Sequence, residues 1–325
     1  MIYFNLSFLS NFCSPIIAVL TSGSQSYFVF LIKKGYNRGM RRCLLIILCA
    51  IFLIAGGGLG YLFYNQDDIL LLKKTLPQDY KFDFSTPFEE IFLKGSENSS
   101  LNAVYFYTKK NKKRSSKGVV LYFHGRGCNL SKKWDKLTKD FTGRGFDLLI
   151  MDYRGFGKST GPLSEEAFYS DGNTFYNYLL NFFDPNQIVV YGKSLGTGTA
   201  TYVAAKNKPN TLILETPYFS ILELSSKSFP YVPKWLIPPL LKYHFRTDQW
   251  IKEVCCPVYI FHGTADKLVP YNSSTRLLAL IKDKKNGHLI TIKGGLHEGL
   301  RRTAQYSEKL NAILGAQKLS NKENE

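Results

Sequence analysis

Apolar runs of strand length alternate with amphipathic segments from about residue 80 to the end of the chain. Two segments with period-two alternation, 90–95 and 101–108, predict an opening antiparallel pair of strands. The nearly continuous apolar runs that follow are typical of strands buried on both faces of a parallel sheet. These runs occupy 118–125, 146–153, 187–194, 211–217, 257–263 and 288–294. The helix-like segments occupy 131–143, 164–183, 195–207, 271–283 and 298–314. The alternation predicts an α/β fold, with a mostly parallel sheet of about eight strands and helices on both faces.

One segment interrupts this alternation. Residues 218–250 are rich in proline and aromatic residues, so they cannot form a single regular helix. An insertion after a parallel strand lies over the carboxyl ends of the strands, where such sheets bind ligands. We therefore expect residues 218–250 to form a cap or lid.

A different apolar run, residues 43–64, carries no charge. A helix of this length, at about 1.5 Å per residue, covers the roughly 30 Å hydrocarbon layer of a bilayer. Arg41 and Arg42 precede the run, while Asp67 and Asp68 follow it. By the positive-inside rule, the N-terminus is expected in the cytoplasm and the rest of the chain on the outer side. A cleaved signal peptide is the alternative, although its apolar region is usually shorter, about 7–15 residues.

The ends of the chain give weaker patterns. Met40 followed by two arginines and the apolar run has the form of a start residue and a basic n-region. Residues 1–39, which show no repeat or period, are therefore an N-terminal extension of doubtful authenticity, poorly ordered or membrane-associated. We expect a folded domain over 67–316 and a disordered tail over 317–325.

Composition excludes intrinsic disorder for most of the chain, because 45% of the 325 residues are hydrophobic and 15% are aromatic. The net charge of +17 does not by itself predict a nucleic-acid partner. Part of the positive charge lies just before the apolar run, and another part forms the cluster 109–117, which is typical of a solvated loop. The sequence also contains no nucleic-acid recognition motif. The six cysteines have no metal-binding or disulfide-framework spacing.

Catalytic chemistry is indicated by the sequence GKSLG, in which Ser194 stands between an apolar strand and a helix-forming segment. A GxSxG motif between a strand and a helix is typical of a nucleophile elbow. Serine is a poor nucleophile at neutral pH, so it needs a base that is itself oriented by a third group.

His297 is the candidate base, because it alone among the five histidines follows all the predicted strands. The other four have simpler interpretations, as residues that shape loops or lie at the surface; they are His124, His244, His262 and His288. Asp266, after the strand at 257–263, is the candidate acid, and Glu215 is the alternative. An oxyanion hole needs backbone N–H donors, which we expect from Leu195, next to the nucleophile, and from Arg126 in the loop after 118–125.

Five motifs in order, HGRG, DYRGFGKSTG, GKSLGTG, HGTADKLVP and GGLHEG, resemble the α/β-hydrolase superfamily over about residues 80 to 316. Within it they resemble the membrane-anchored serine hydrolases of the Bem46-like and serine aminopeptidase-like branch. The resemblance implies that Ser194 is the nucleophile, Asp266 the acid and His297 the base, with Arg126 and Leu195 as oxyanion donors. The branch usually has Asn where this chain has Arg126; the guanidinium either favours an anionic substrate or points outward.

The sequence therefore predicts a serine hydrolase that forms an acyl-enzyme and needs no cofactor and no metal. Esters or thioesters of an apolar, lipid-like acyl group are the expected substrates, because the aromatic insertion follows a membrane anchor. The alternatives are a peptidase or amidase of the same fold and a non-catalytic binding protein that kept the fold. Membrane attachment through one helix is expected, and a nucleic-acid partner is not.

Overall fold

The structure is a computed structural model that describes residues 17–22, 25–30, 38–108, 116–132, 134–228 and 232–315. The chain divides into two compact units, which meet in sequence between Gly60 and Tyr61. The predicted polar loop around 109–115 and the predicted tail at 317–325 lie outside the described residues, as do most of residues 1–39.

The first unit contains two antiparallel strands, β1 (Ile17–Ser22) and β2 (Gln25–Phe30), which the sequence pattern did not predict. Helix α1 (Arg38–Tyr64) follows and includes the predicted span 43–64. Among the described residues, one helix is long and apolar enough to cross a membrane by length and composition, and it is this one, over Arg41–Tyr64.

The second unit is built on an eight-stranded sheet with the order β10-β9-β8-β7-β5-β6-β4-β3. Its strands are β3 (Phe88–Lys94), β4 (Ser100–Phe106), β5 (Gly118–Phe123), β6 (Phe146–Met151), β7 (Ile188–Lys193), β8 (Thr211–Glu215), β9 (Val258–Gly263) and β10 (Gly287–Ile292). Strand β4 pairs antiparallel with both β3 and β6, and the other pairs are parallel. The predicted fold class is confirmed.

Helices cover both faces of this sheet. The helices of the second unit, including those of the insertion, are α2 (Gln66–Ile69), α3 (Asp135–Thr142), α4 (Glu165–Leu180), α5 (Gly196–Lys206), α6 (Ile221–Ser228), α7 (Ile237–Leu240), α8 (Thr247–Trp250), α9 (Asn272–Leu280) and α10 (Ala304–Gly315). Alternate residues of a strand face opposite sides, and β5 shows the consequence: Val119 and Leu121 belong to the core that includes α4 and α5, whereas Val120 belongs to the core that includes α3 and α10. Strands buried on both faces need continuous apolar sequence, which explains the pattern.

The last predicted helix, 298–314, begins later than expected. Gly299 adopts a left-handed backbone conformation with φ of 88°, and Leu300–Arg302 form a 3₁₀ turn before α10 starts at Ala304. A left-handed residue interrupts a right-handed helix, so residue 298 cannot be its first turn.

Strand order places the ends of the parallel strands together. β5 is flanked by β6 on one side and β7 on the other, so the chain reverses its direction of travel across the sheet at this point. In open α/β sheets, ligands bind at such a switch point beyond the carboxyl ends of the strands. The loops after β5, β7, β9 and β10 carry the predicted site residues.

Candidate active site

Ser194 stands on a sharp turn between β7 and α5. Its φ is 49°, in the left-handed region that a side chain disfavours. The turn requires glycine beside it, because a Cβ on Gly196 would lie 2.2 Å from the carbonyl oxygen of Phe123. The serine side chain is thereby held at the carboxyl edge of the sheet, directly before the N-terminus of an 11-residue helix.

The structure brings the three predicted residues Ser194, His297 and Asp266 together, although they come from three different loops. Nε2 of His297 lies 3.0 Å from Oγ of Ser194, and Nδ1 lies 2.8 Å from Oδ2 of Asp266. Both distances are hydrogen-bond distances. This geometry allows a proton to pass from the serine to an imidazole whose other nitrogen is fixed by a carboxylate.

Asp266 is held by more than His297. Its Oδ1 accepts hydrogen bonds from the backbone N–H groups of Leu268 at 2.8 Å and Val269 at 2.9 Å. Burial alone would raise the pKa of this carboxyl, but the hydrogen bonds from His262, His297 and Val269 outweigh it and hold the pKa well below its usual range. Asp266 is therefore an anion at neutral pH.

His262 is a contact that sequence reasoning missed, since we interpreted it as a loop-shaping or surface residue. It is fully buried, and its Nε2 lies 3.2 Å from Oδ2 of Asp266 and 3.0 Å from the carbonyl oxygen of Val269. A nitrogen that faces two acceptors carries the proton, so Nε2 donates and Nδ1 accepts from the hydroxyl of Ser274 at 2.6 Å. The sequence signal is its position four residues before Asp266.

The two predicted oxyanion donors have free backbone N–H groups within the described part of the chain. Neither the N–H of Arg126 nor that of Leu195 hydrogen-bonds to an acceptor among the described residues. The N–H of Gly127, in contrast, donates to the carbonyl of Leu71 at 3.0 Å. The Arg126 side chain is exposed, and it lines both pockets described below.

Glu215, the alternative acid, lies in a separate buried network. Its carboxylate accepts from the hydroxyl of Tyr191 and lies 3.1 Å from Nε of Arg301 and 3.9 Å from Nζ of Lys193. Burial would raise the pKa of Glu215, but the positive charges of Arg301 and Lys193 outweigh it and lower the pKa. Asp266, and not Glu215, hydrogen-bonds to the imidazole of His297.

Lys193 and Glu298 form an ion pair that sequence reasoning also missed. Lys193 immediately precedes Ser194, and Glu298 immediately follows His297. The ion pair therefore joins the same two chain segments as the contact between Ser194 and His297. The signal in the sequence was a cation and an anion at these two adjacent positions.

Two pockets open on either side of Ser194. The apolar pocket, about 260 Å³, is walled by parts of the insertion at 218–250 and by the chain just after α1. Its lining residues are Leu70, Leu71, Arg126, Ser194, Leu195, Tyr218, Ile221, Leu224, Ser225, Tyr243, Leu268 and Val269. The polar pocket, about 300 Å³, is richer in charged groups, which are Arg126, Lys132, Lys193, Glu298 and Arg301. Ser194 is thus reached from an apolar side and from a polar, mostly cationic side.

Known proteins share this architecture. The family described as serine aminopeptidase, S33, matches residues 114–247. The chain is 32% identical to the zebrafish (Danio rerio) lysophosphatidylserine lipase ABHD12 over 54% of this chain and 51% of the relative, so the match spans about half of that protein's length. It is 28% identical to protein bem46 of Schizosaccharomyces pombe over 73% of this chain and 80% of the relative.

Solved structures show the same fold at low sequence identity. The acetyl xylan esterase from Paenibacillus sp. R4 superposes with a TM-score of 0.59 at 17% identity, covering 75% of this chain and 87% of the esterase. The Pyrococcus furiosus esterase PF2001 gives a TM-score of 0.58 at 16% identity, covering 75% of this chain and 97% of the esterase. The chain therefore has the α/β-hydrolase fold, and its sequence is similar to the serine aminopeptidase family and to protein bem46.

Proposed function

We propose that the chain is a serine hydrolase that cleaves a carboxylic ester or thioester through an acyl-enzyme. The observation that carries this proposal is the continuous line of hydrogen bonds from Ser194 through His297 to Asp266, at 3.0 Å and 2.8 Å. The nucleophile elbow supports it, because Ser194, on the strained turn at the edge of the sheet, lines both pockets.

In the first half of the reaction, Oγ of Ser194 attacks the carbonyl carbon while Nε2 of His297 takes the hydroxyl proton. The substrate oxygen becomes negative and accepts hydrogen bonds from the backbone N–H groups of Arg126 and Leu195, and the N-terminus of α5 stabilises the same charge. Asp266 stabilises the imidazolium. Collapse of the intermediate breaks the bond to the leaving group, which receives the proton from His297.

In the second half, water attacks the acyl-serine ester and gives its proton to His297. The carboxylic acid leaves, and the proton returns to Oγ of Ser194. The balance for an ester is one water consumed, with one acid and one alcohol released; a thioester releases a thiol instead.

The two pockets divide the substrate between them. The apolar pocket, with its leucines, isoleucine and tyrosines, fits the acyl chain, and the polar pocket fits the leaving group.

An aminopeptidase would need a carboxylate for the substrate's ammonium group. Among the described lining residues, the carboxylate of Glu298 is the one available, and it is paired with Lys193. Ester or thioester cleavage is therefore favoured over peptide cleavage.

The membrane helix candidate supports a lipid-like substrate. The wall residue Leu70 is six residues beyond Tyr64, the end of α1, so at about 3.8 Å per residue at most roughly 23 Å of chain separates them. A pocket wall that follows the apolar helix within a few residues of chain suits an acyl chain drawn from a bilayer. The zebrafish relative is itself named a lipase for lysophosphatidylserine.

We also propose that α1 is an uncleaved anchor, with the N-terminus in the cytoplasm and the hydrolase domain on the outer side. The basic residues Arg41 and Arg42 before the span support this orientation. Protease digestion of sealed right-side-out vesicles tests it: the domain should be degraded without permeabilising the membrane. Protection until detergent is added would reverse the orientation.

Labelling with a fluorophosphonate probe tests the hydrolase proposal. We expect the full-length protein in detergent to be labelled and the variants Ser194→Ala and His297→Ala to remain unlabelled. Ser225→Ala is the matched control, because Ser225 lines the same apolar pocket as Ser194 but has no imidazole partner among the described residues. Its labelling should persist.

A panel of p-nitrophenyl acetate, octanoate and palmitate, with palmitoyl-coenzyme A as a thioester, then identifies the acyl group and the bond. Folded wild-type protein that neither takes the label nor hydrolyses any of these substrates would refute the proposed function. Labelling that survives in Ser194→Ala would refute the assignment of the nucleophile.

A further inference from the structure

The chain between α1 and β3 begins with a segment that touches the insertion. This segment, the strap, comprises residues 65–72. The side-chain amide of Gln66, which is 5% exposed, makes two hydrogen bonds to the backbone of the insertion. Its Nε2 donates to the carbonyl of Leu240 at 2.6 Å, and its Oε1 accepts from the N–H of Lys242 at 2.9 Å. One amide thus fixes the backbone on both sides of Leu241.

Asp67 adds a second attachment at the next residue. Its Oδ1 accepts from the hydroxyl of Tyr243 at 2.7 Å and lies 3.4 Å from Nζ of Lys242. Tyr243 is 1% exposed and lines the apolar pocket beside Ser194. The strap therefore positions a side chain of the pocket wall.

The strap also forms part of the site directly. Leu70 and Leu71 line the apolar pocket, and Leu72 lines the polar pocket. The carbonyl of Leu71 accepts from the N–H of Gly127, next to the oxyanion donor Arg126. A single stretch of chain thus contacts the insertion, both pockets and the oxyanion loop.

The same part of the insertion is attached on its other side by α4. The carboxylate of Glu165 accepts from the backbone N–H groups of His244 at 2.6 Å and Phe245 at 3.0 Å. Residues 240–245 are therefore held between two external attachments, the strap and α4. The serine aminopeptidase family match covers residues 114–247 and so includes α4 and residues 240–245 but not the strap.

We propose that Gln66 and Asp67 are specificity-determining residues that set acyl-chain preference by holding residues 240–243 against the apolar pocket. This rests on the proposed ester or thioester hydrolysis. Ser194 and Tyr243 line the same apolar pocket, so we expect a longer acyl chain on Ser194 to make more contacts with the wall at Tyr243 than an acetyl group does. Release of the wall removes contacts from the long chain and weakens its binding.

Hydrolysis of p-nitrophenyl octanoate and acetate by full-length protein in detergent tests the proposal. For Gln66→Ala we expect the octanoate-to-acetate ratio of kcat/KM to fall about tenfold, through a higher KM for octanoate, since two hydrogen bonds to the wall are lost. Tyr243→Phe is a second, milder variant that keeps the ring but loses the bond to Asp67; its ratio should fall less. Gln78→Ala is the matched control, because Gln78 bonds to the carbonyl of Lys158, away from both pockets.

Fluorophosphonate labelling of Ser194 in every variant separates the two proposals. Labelled variants with an unchanged octanoate-to-acetate ratio would overturn the role of the strap and leave the proposed function intact. An equal fall of the ratio in Gln78→Ala would also overturn it, because the effect would then be one of general stability. Failure of the wild type to be labelled or to cleave either ester would instead refute the proposed function.

Discussion

Substitution of Asp266 by asparagine tests which carboxylate orients His297. Oδ1 of Asp266 accepts from two backbone N–H groups, those of Leu268 and Val269, whereas Oδ2 faces Nδ1 of His297 at 2.8 Å. Asparagine keeps a carbonyl oxygen for the two backbone donors, so its NH₂ group must take the place of Oδ2. The substitution therefore changes the one atom that faces the imidazole of His297 and keeps the two backbone hydrogen bonds. The same atom also loses its hydrogen bond from Nε2 of His262 at 3.2 Å, so urea unfolding must be measured beside activity.

The expected magnitude follows from the tautomer of His297. An amide N–H that faces Nδ1 requires this nitrogen to accept, so the proton of the neutral ring moves to Nε2, which lies 3.0 Å from Oγ of Ser194. A protonated Nε2 cannot take the serine proton. We expect kcat to fall by about 10⁴-fold, the size of the tautomer effect in other serine hydrolases, which is roughly 5.4 kcal/mol of transition-state stabilisation.

The assay measures the rate of ester hydrolysis and the extent of fluorophosphonate labelling for wild type, Asp266→Asn and Glu215→Gln. Urea denaturation gives the free energy of unfolding of each protein and shows that it is folded under the assay conditions. Glu215 is the control, because it is the other acid that the sequence allowed and its carboxylate bonds to Tyr191 and Arg301 instead. We expect folded Glu215→Gln to keep its labelling. A folded Asp266→Asn within tenfold of wild-type activity would refute the reasoning, and a 10⁴-fold loss in folded Glu215→Gln would transfer the role to that residue.

Three further predictions concern the charged groups around Glu215 and Lys193. Arg301→Met leaves the carboxylate of Glu215 without its nearest cation, so we expect urea denaturation to give a free energy of unfolding lower by about 3–5 kcal/mol; a change below about 1 kcal/mol contradicts this. Glu298→Gln removes the ion pair with Lys193. Because the Glu298 side chain is 72% exposed, the free energy of unfolding from urea denaturation should fall by less than about 1 kcal/mol. The pKa of Glu215 is lowered in the folded state, so its charge stabilises the fold above the unfolded pKa of about 4.3 and this contribution is lost as the pH falls. The difference in Tm between wild type and Glu215→Gln should therefore shrink when the pH is lowered below about 5, and a widening difference would show the sign to be wrong.

The fold was predictable because burial on both faces leaves a clear mark on a strand. All six positions of β5, β6 and β7 are buried, so each appears as a nearly continuous apolar run, with Asp147 in β6 and Lys193 at the end of β7 as the charged exceptions. The short helices α7 and α8 leave no such mark, since four residues make little more than one turn and show no period. The start of α10 also escaped prediction, because it depends on the backbone conformation of Gly299.

The sequence by itself determined the chemistry available at each strand end. Ser194, Asp266 and His297 could be named in advance, because a motif next to an apolar strand fixes which loop carries a residue and at which edge of the sheet it lies. Their roles in catalysis stay predictions until the labelling experiment.

Only the tertiary structure decided which of these groups meet. Ser194 and His297 are separated by 103 positions in sequence, and the strands that precede them are separated in the sheet by β8 and β9. The contact of Asp266 with His297, the burial of His262 and the attachment of the insertion by Gln66 depend on loop paths between distant elements. Hydrophobic periodicity records how deeply each element is buried, but it carries no information about which distant side chain lies opposite, and so these contacts could be read only from the fold.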